Sequence, residues 1–324
     1  MQECVTAAIF VNKYKNLMCS RNFCFEKVPG VHLKGSEEKD MEYVNPIISG
    51  FYPDPSICRV GDDFYLVNSS FEYFPGIPVF HSKDLINWEQ TGHCISRPGQ
   101  LALRQGVQNC VGIYAPTIRY HDGIFYVIST NVTYGSKDDG NFIVWTDDPY
   151  GEWSDPVFID LPGIDPSLFF DDDGKVYYTG AFDNGIFMSE LEFSYNYDEN
   201  GKVVDISCKT VSGKKFIWYG TGGNDPEGPH LYKINGWYYL LISEGGTEFC
   251  HMITVARSRN IWGEYESCPG NRPFLPITGQ PLSSHSTGTR NVSLPRLCLN
   301  GYVIGRFARQ TPHQSPYWSQ TISI

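Results

Sequence analysis

Three short triplets carry the acids of this chain whose repetition points to shared chemistry: Asp54-Pro55-Ser56, Asp165-Pro166-Ser167 and Glu227-Gly228-Pro229. A fourth, Ala115-Pro116-Thr117, has the same form without the acid. Carboxyl groups gathered in one concave site repel one another, so that one keeps its proton while another stays ionised. Such a pair can protonate a leaving oxygen from one side and activate water from the other, which is what hydrolysis of a glycosidic bond requires. Taken singly, each triplet is better explained as a turn, because an Asp side chain caps local backbone amides. Three acids at one position of a repeat resist that explanation.

The repeat itself is a turn rich in Asp, Asn and Gly followed by an aromatic strand. It occurs at Gly61-Asp62-Asp63-Phe64-Tyr65-Leu66-Val67, Asp122-Gly123-Ile124-Phe125-Tyr126-Val127-Ile128, Asp173-Gly174-Lys175-Val176-Tyr177-Tyr178 and Asn235-Gly236-Trp237-Tyr238-Tyr239-Leu240-Leu241. The turn residues accept positive φ and the aromatic and β-branched residues suit a pleated, buried surface, so each copy predicts a hairpin. The aligned tyrosines Tyr65, Tyr126, Tyr177 and Tyr238 recur every 51 to 61 residues, the size of a propeller blade. Each hairpin follows one of the four triplets. Three are followed by a further strand ending in an aromatic turn, at Ser82 to Trp88, Thr146 to Trp153 and Ser258 to Tyr265. A first strand, a hairpin and an outer strand make a four-stranded blade, and the fold class predicted is all-β, a β-propeller, with a β-sandwich as the structural alternative. In a propeller the first strand of each blade lines the central axis, so Asp54, Asp165 and Glu227 converge at one end of the channel.

Composition narrows the partners. The chain has 324 residues, with 32 Gly and 21 Pro for many tight turns and 48 aromatic residues (21 Tyr, 20 Phe, 7 Trp) for stacked sheets. A net charge of −11 without a basic run excludes a phosphate-binding face, so no nucleic acid partner is expected. No stretch approaches the roughly 20 apolar residues of a membrane-spanning helix, and no membrane partner is expected. The ten Cys fall in no C-x-x-C pair and match no zinc spacing, which predicts reduced thiols and no metal site of that kind. The apolar run Val5 to Val11 follows Glu3 rather than a basic start, so it reads poorly as a signal peptide and a cytoplasmic location is expected, with secretion left open.

These residues carry a family resemblance. Asn45-Pro46 with Gly50-Phe51-Tyr52-Pro53-Asp54-Pro55-Ser56 resembles the opening of family 43 glycoside hydrolases, the five-bladed β-xylosidases and α-L-arabinofuranosidases. Phe71-Glu72-Tyr73-Phe74-Pro75-Gly76, Tyr114-Ala115-Pro116-Thr117-Ile118-Arg119-Tyr120 and Gly163-Ile164-Asp165-Pro166-Ser167-Leu168-Phe169 continue it in order, as do Pro226-Glu227-Gly228-Pro229-His230-Leu231-Tyr232 and Ser243-Glu244-Gly245-Gly246-Thr247. The resemblance implies a five-bladed propeller in which Asp54 is the general base, Glu227 the general acid and Asp165 the residue that orients the acid and keeps its proton affinity high. It implies inversion of anomeric configuration, with base and acid roughly 6.5–9.5 Å apart. It places Phe71 and Tyr114 as aromatic walls of the sugar subsite, where many relatives carry Trp at the second position, with Arg119 and His230 as neighbours in substrate binding. Ordinary propeller core explains each aromatic equally well. The segment Asn68 to Gly76 resembles the exo-acting branch, so the expected substrates are xylo- or arabino-oligosaccharides that lose a terminal xylose or arabinofuranose. A retaining enzyme of the invertase type would carry an Asn-Asp-Pro-Asn-Gly motif, which is absent near Asp54.

Two stretches depart from the resemblance. Residues 1–40 precede the usual start and form an extension of unknown role; residues 41–288 form the propeller-like region; residues 289–324 form an atypical tail. After Thr287-Gly288 the family continues with a His, whereas this chain reads Thr289-Arg290-Asn291-Val292-Ser293, in keeping with a shifted reading frame and a truncated or replaced fifth blade. The chemistry requires no cofactor. A structural calcium is allowed by the resemblance, but its usual His ligand is not found. A propeller removes exposed edges by closing its ring, so low stability or lapsed turnover, with sugar binding retained, is the competing expectation.

Overall fold

The computed structural model describes residues 46–103, 109–133, 135, 137–247, 251–268 and 271, with the backbone of two strands at 305–308 and 320–323. The expectations for residues 1–40 and for most of the tail lie outside the described residues.

Four antiparallel meanders follow one another along the chain. Blade one is β1 (Ser56–Val60), β2 (Asp63–Val67), β3 (Gly76–Ser82) and β4 (Glu89–Ile95). Blade two is β5 (Thr117–His121), β6 (Ile124–Asn131), β7 (Gly140–Thr146) and β8 (Val157–Ile159). Blade three is β9 (Ile164–Phe170), β10 (Val176–Phe182), β11 (Gly185–Tyr197) and β12 (Val203–Thr210), with β13 (Lys215–Trp218) on the near half of the long β11. Blade four is β14 (Glu227–Ile234), β15 (Trp237–Glu244), β16 (Met252–Ser258) and β17 (Glu266–Ser267). Two further strands, β18 (Gly305–Ala308) and β19 (Gln320–Ser323), pair with each other. Separate four-stranded sheets in chain order are the blades of a propeller, and the two packed sheets of a sandwich are not what forms.

The turns follow local chemistry. Asp122-Gly123 and Asn235-Gly236 hold positive φ at both positions (47° and 85°, 51° and 73°), the mirror-image turn that matches strand twist. Asp183-Asn184 does the same between β10 and β11 (51° and 56°). The third expected hairpin differs. Phe170 pairs with Val176, so Asp171 to Lys175 form a five-residue loop closed by Gly174 N–H donating to Asp171 O at 3.0 Å.

The core is divided between blades, and strand alternation decides which side chain enters which interface. Tyr65 and Val67 of β2 meet Phe125 and Val127 of β6 between blades one and two. The alternate residues Ile124, Tyr126 and Ile128 meet Leu168, Val176 and Tyr178 between blades two and three. Tyr177, Ile186 and Met188 then meet Leu231, Leu240 and Ile242 between blades three and four. Tyr65, Tyr126 and Tyr177 therefore each face the following blade, as the repeat implies. Tyr238 does not: it packs back toward blade three, and counting from the turn makes Tyr239 the fourth equivalent. Two adjacent tyrosines hid a one-residue slip.

Candidate active site

The inner strands β1, β5, β9 and β14 lie side by side in that order. Asp54 stands two residues before β1, Asp165 is the second residue of β9 and Glu227 the first of β14, so all three occupy the entry ends of inner strands. Asp54 and Asp165 share a left-handed backbone, with φ of 54° and 53°. For a residue with a Cβ this conformation costs about 1–2 kcal/mol, so its recurrence at two equivalent positions marks a shared constraint rather than chance. Glu227 is reached differently. Asp225 and Gly228 take the positive φ there (50° and 57°), and the pairing of β14 with β15 is irregular between Glu227 and His230.

Each acid is half-buried and held. Ser69 Oγ donates to Asp54 Oδ2 at 2.6 Å, while Ser69 N–H donates to Pro53 O at 3.1 Å, so one residue fixes both the carboxylate and the chain before it. Beside Asp165 lies the buried Tyr178; burial first, and the Asp165 charge second, push the Tyr178 proton affinity up. His251 Nδ1 lies 4.0 Å from Glu227 Oε1 and donates to Gly246 O at 2.7 Å, which orients the ring. The loop leading to Glu227 is fixed by Glu244, which is fully buried. Its carboxylate accepts from Thr221 N–H (2.9 Å), Thr221 Oγ1 (2.8 Å), Gly223 N–H (2.9 Å) and Thr254 Oγ1 (2.5 Å).

The expected aromatic walls come together. The Phe71 and Tyr114 rings lie 5.7 Å apart at 73°, and Phe51, 39% exposed, stands 5.7 Å from Phe71. The Phe71 loop of blade one is stitched to blade two by Phe71 N–H to Ile113 O (2.9 Å) and Ile113 N–H to Phe71 O (3.0 Å). Gly112 permits this approach: at φ 117° an added Cβ would stand 2.4 Å from Phe71 O. Beside this wall, Phe51, Ser69, Glu72, Tyr73, Gln90 and His93 line part of a cavity of about 760 Å³.

Arg119 and His230 also meet, but with their polar atoms turned on protein. Arg119 donates from Nε to Leu168 O (3.0 Å), from one terminal nitrogen to Ile118 O (2.9 Å), and from the other to Ser167 Oγ and His230 Nδ1 (both 3.1 Å). Accepting at Nδ1 places the neutral ring's proton on Nε2. Burial, then the Arg119 charge, pull the His230 pKa down to about 3. Part of its surface still meets solvent, so the crowding of protein atoms around the imidazole rather than full enclosure sets this direction. Blade two thus lacks an acid yet grips both neighbours, since Ile118 N–H also donates to Ser56 Oγ at 3.1 Å. The Ser of each Asp-Pro-Ser triplet receives its bond from β5.

The sequence pattern of glycosyl hydrolases family 43 matches residues 43–291. The chain belongs to glycosyl hydrolase family 43. It is 51% identical over 245 residues to a xylosidase/arabinosidase of Butyrivibrio fibrisolvens, covering 71% of this chain and 44% of that protein. It is 49% identical over 228 residues to a non-reducing end α-L-arabinofuranosidase of Bacteroides ovatus, covering 70% and 40%. A solved xylan β-1,4-xylosidase from Bacillus halodurans superposes with a TM-score of 0.62 at 41% identity, covering 71% of this chain and 44% of that one. The chain spans less than half the length of these relatives. Their propeller architecture agrees with the four blades described.

Within this family 43 chain, Ser69, Glu244 and His251 support the acids and escaped the sequence reading. Glu244 and its Gly-Gly neighbours were visible only as a shared motif. Among the described residues no group of three or more His, Cys, Asp or Glu side chains is arranged to hold a metal ion. The described cysteines, Cys58, Cys94, Cys110, Cys208 and Cys268, carry thiols.

Proposed function

We propose that this chain hydrolyses terminal xylosyl or arabinofuranosyl linkages of xylan-derived oligosaccharides, with inversion at the anomeric carbon. The observation that carries the reading is the placement of three carboxyl groups at the entries of neighbouring inner strands, two of them in the same strained backbone. Asp54, oriented by Ser69, takes the proton from water as it attacks the anomeric carbon. Glu227 gives its proton to the departing glycosidic oxygen, so that two charges never develop unaided in the transition state. Asp165, whose negative charge opposes ionisation of a neighbouring carboxyl, keeps Glu227 protonated and in place. Inversion asks for roughly 6.5–9.5 Å between base and acid, leaving room for water. Phe71, Tyr114 and Phe51 offer apolar ring faces to the sugar. The names of the relatives support a terminal sugar as the unit released.

Hydrolysis of aryl β-xyloside and aryl α-L-arabinofuranoside by the full chain tests this. Glu227→Ala and Asp54→Ala each lower kcat by about 10²–10⁴, the usual worth of a positioned acid or base. Proton NMR of the β-xyloside reaction shows α-xylose first. Appearance of β-xylose first would replace inversion by retention, and binding without release would replace the enzyme by a sugar-binding propeller.

A further inference from the structure

Arg119 lies outside the three acids, yet it touches the strands that carry two of them. Its bonds to Ser167 Oγ and Leu168 O grip β9 two and three residues beyond Asp165. Its bond to His230 Nδ1 grips β14 three residues beyond Glu227. Glu227 pairs with Ser243 of β15, but the register shifts between Glu227 and His230, so a bulge separates the acid from the regular part of the ladder. A further contact lies between Arg119 and the Tyr232 ring, whose centroid is 5.6 Å from the guanidinium carbon. Four donor–acceptor pairs on one planar guanidinium, one of them to its own strand, are a geometry that a Lys ammonium cannot reproduce.

We propose that Arg119 is a positioning residue for proton donation by Glu227: through His230 it sets the strand of Glu227 against the strand of Asp165. The inference rests on the assignment of Glu227 as acid. It gives Arg119 and His230 a role other than contact with the sugar. The guanidinium is already committed to its protein partners without substrate, and His230 serves it as a neutral acceptor. A displacement of about 1 Å at a reacting group costs on the order of 100-fold in rate, so a strand-spacing bond three residues away has ample leverage.

The test compares leaving groups. A dinitrophenyl glycoside departs without an acid, whereas an alkyl glycoside or an oligosaccharide needs one. Arg119→Lys and His230→Leu are expected to lower kcat on the poor leaving group on the order of 10- to 100-fold, with less than about 3-fold change on the dinitrophenyl substrate and little change in KM. His230→Asn keeps an acceptor near the position of Nδ1 and is expected to lose less than His230→Leu. Equal losses on both substrates, or none, overturn the proposal. A second readout is independent of turnover. In chain labelled with ¹³C at Glu carboxyl carbons, Arg119→Lys shifts the Glu227 titration midpoint relative to wild type, beside an unchanged His251 neighbour, while His230→Asn shifts it less. An unmoved midpoint in Arg119→Lys overturns the proposal even where no glycoside is cleaved, and absence of wild-type cleavage with a moved midpoint counts against the assigned reaction alone.

Discussion

Glu244 shows how a residue can serve a site without touching substrate. It is fully buried, and every partner described for its carboxylate donates: two backbone amides of the 221–223 loop and two threonine hydroxyls. A carboxylate suits this because it only accepts, whereas an amide must turn two N–H groups toward the same ring of donors. Glu244→Gln therefore leaves buried donors facing donors, at a cost of about 1–3 kcal/mol per unsatisfied group. The expected outcome is an unfolding free energy in urea lowered by that amount, seen as a lower midpoint, together with reduced kcat, because the loop anchored here runs directly into Glu227. An unchanged midpoint would show that the Glu244 cluster contributes nothing to the loop. None of this was legible from the triplets, since the partners of Glu244 lie 10 to 23 residues away and meet only in the folded sheet. Ser69 escaped notice for the same reason, 15 residues from Asp54. The equivalent placement of Asp54, Asp165 and Glu227 at the entries of inner strands was legible because the repeat itself brings equivalent positions together.

At the scale of strands, the entry to β9 is the tightest point in the site. Gly163 precedes Asp165 by two residues at φ 87°, and an added Cβ would stand 2.2 Å from Ala181 O, a backbone atom of β10 that cannot swing aside. Gly163→Ala must therefore part β9 from β10 at the end that carries Asp165 and also strain its own backbone, which alone costs about 1–2 kcal/mol. Thermal unfolding is expected to shift down, and kcat to fall by more than at Gly201, where an Ala meets nothing within 4 Å. Equal behaviour of the two variants would remove the argument that this crossing sets Asp165. The sequence marked the hairpin turns at Asp122-Gly123 and Asn235-Gly236 because their residue types demand positive φ. It marked the hairpin at Asp173-Gly174 as well, although the loop there opens at Asp171, and it aligned Tyr238 where Tyr239 is the equivalent, since both suit a strand and only register tells their faces apart.

At the scale of the whole molecule, blades adhere through alternating faces, and the bonds near the axis decide how that adhesion responds to pH. His230 is held neutral among β5, β9 and β14, with its pKa pulled down to about 3 by burial and by Arg119. In the unfolded chain the same imidazole titrates near 6.5. Between those values the unfolded state binds a proton that the native state refuses, so the free energy of unfolding rises with pH across this window and falls as the solution is acidified. One proton of difference corresponds to a slope of at most about 1.4 kcal/mol per pH unit. Asp171 works in the same direction only at lower pH. Burial would raise its pKa, but hydrogen bonds from Lys233 and Tyr238 overcome that and hold it below the usual carboxylate value, so its contribution is lost further into acid. Between pH 6.5 and 5 the carboxylate adds little, but burial also lowers the pKa of His93, which adds a slope of the same sign, so the difference between wild type and His230→Asn isolates the His230 imidazole. Urea midpoints for the wild-type chain are expected to decline across that interval, and His230→Asn, which has no proton to refuse, is expected to decline less steeply. A wild-type midpoint that stays level from pH 7 to 5 would mean that the ring is already charged in the folded propeller, and the neutral acceptor on which the contact among three blades depends would have to be abandoned.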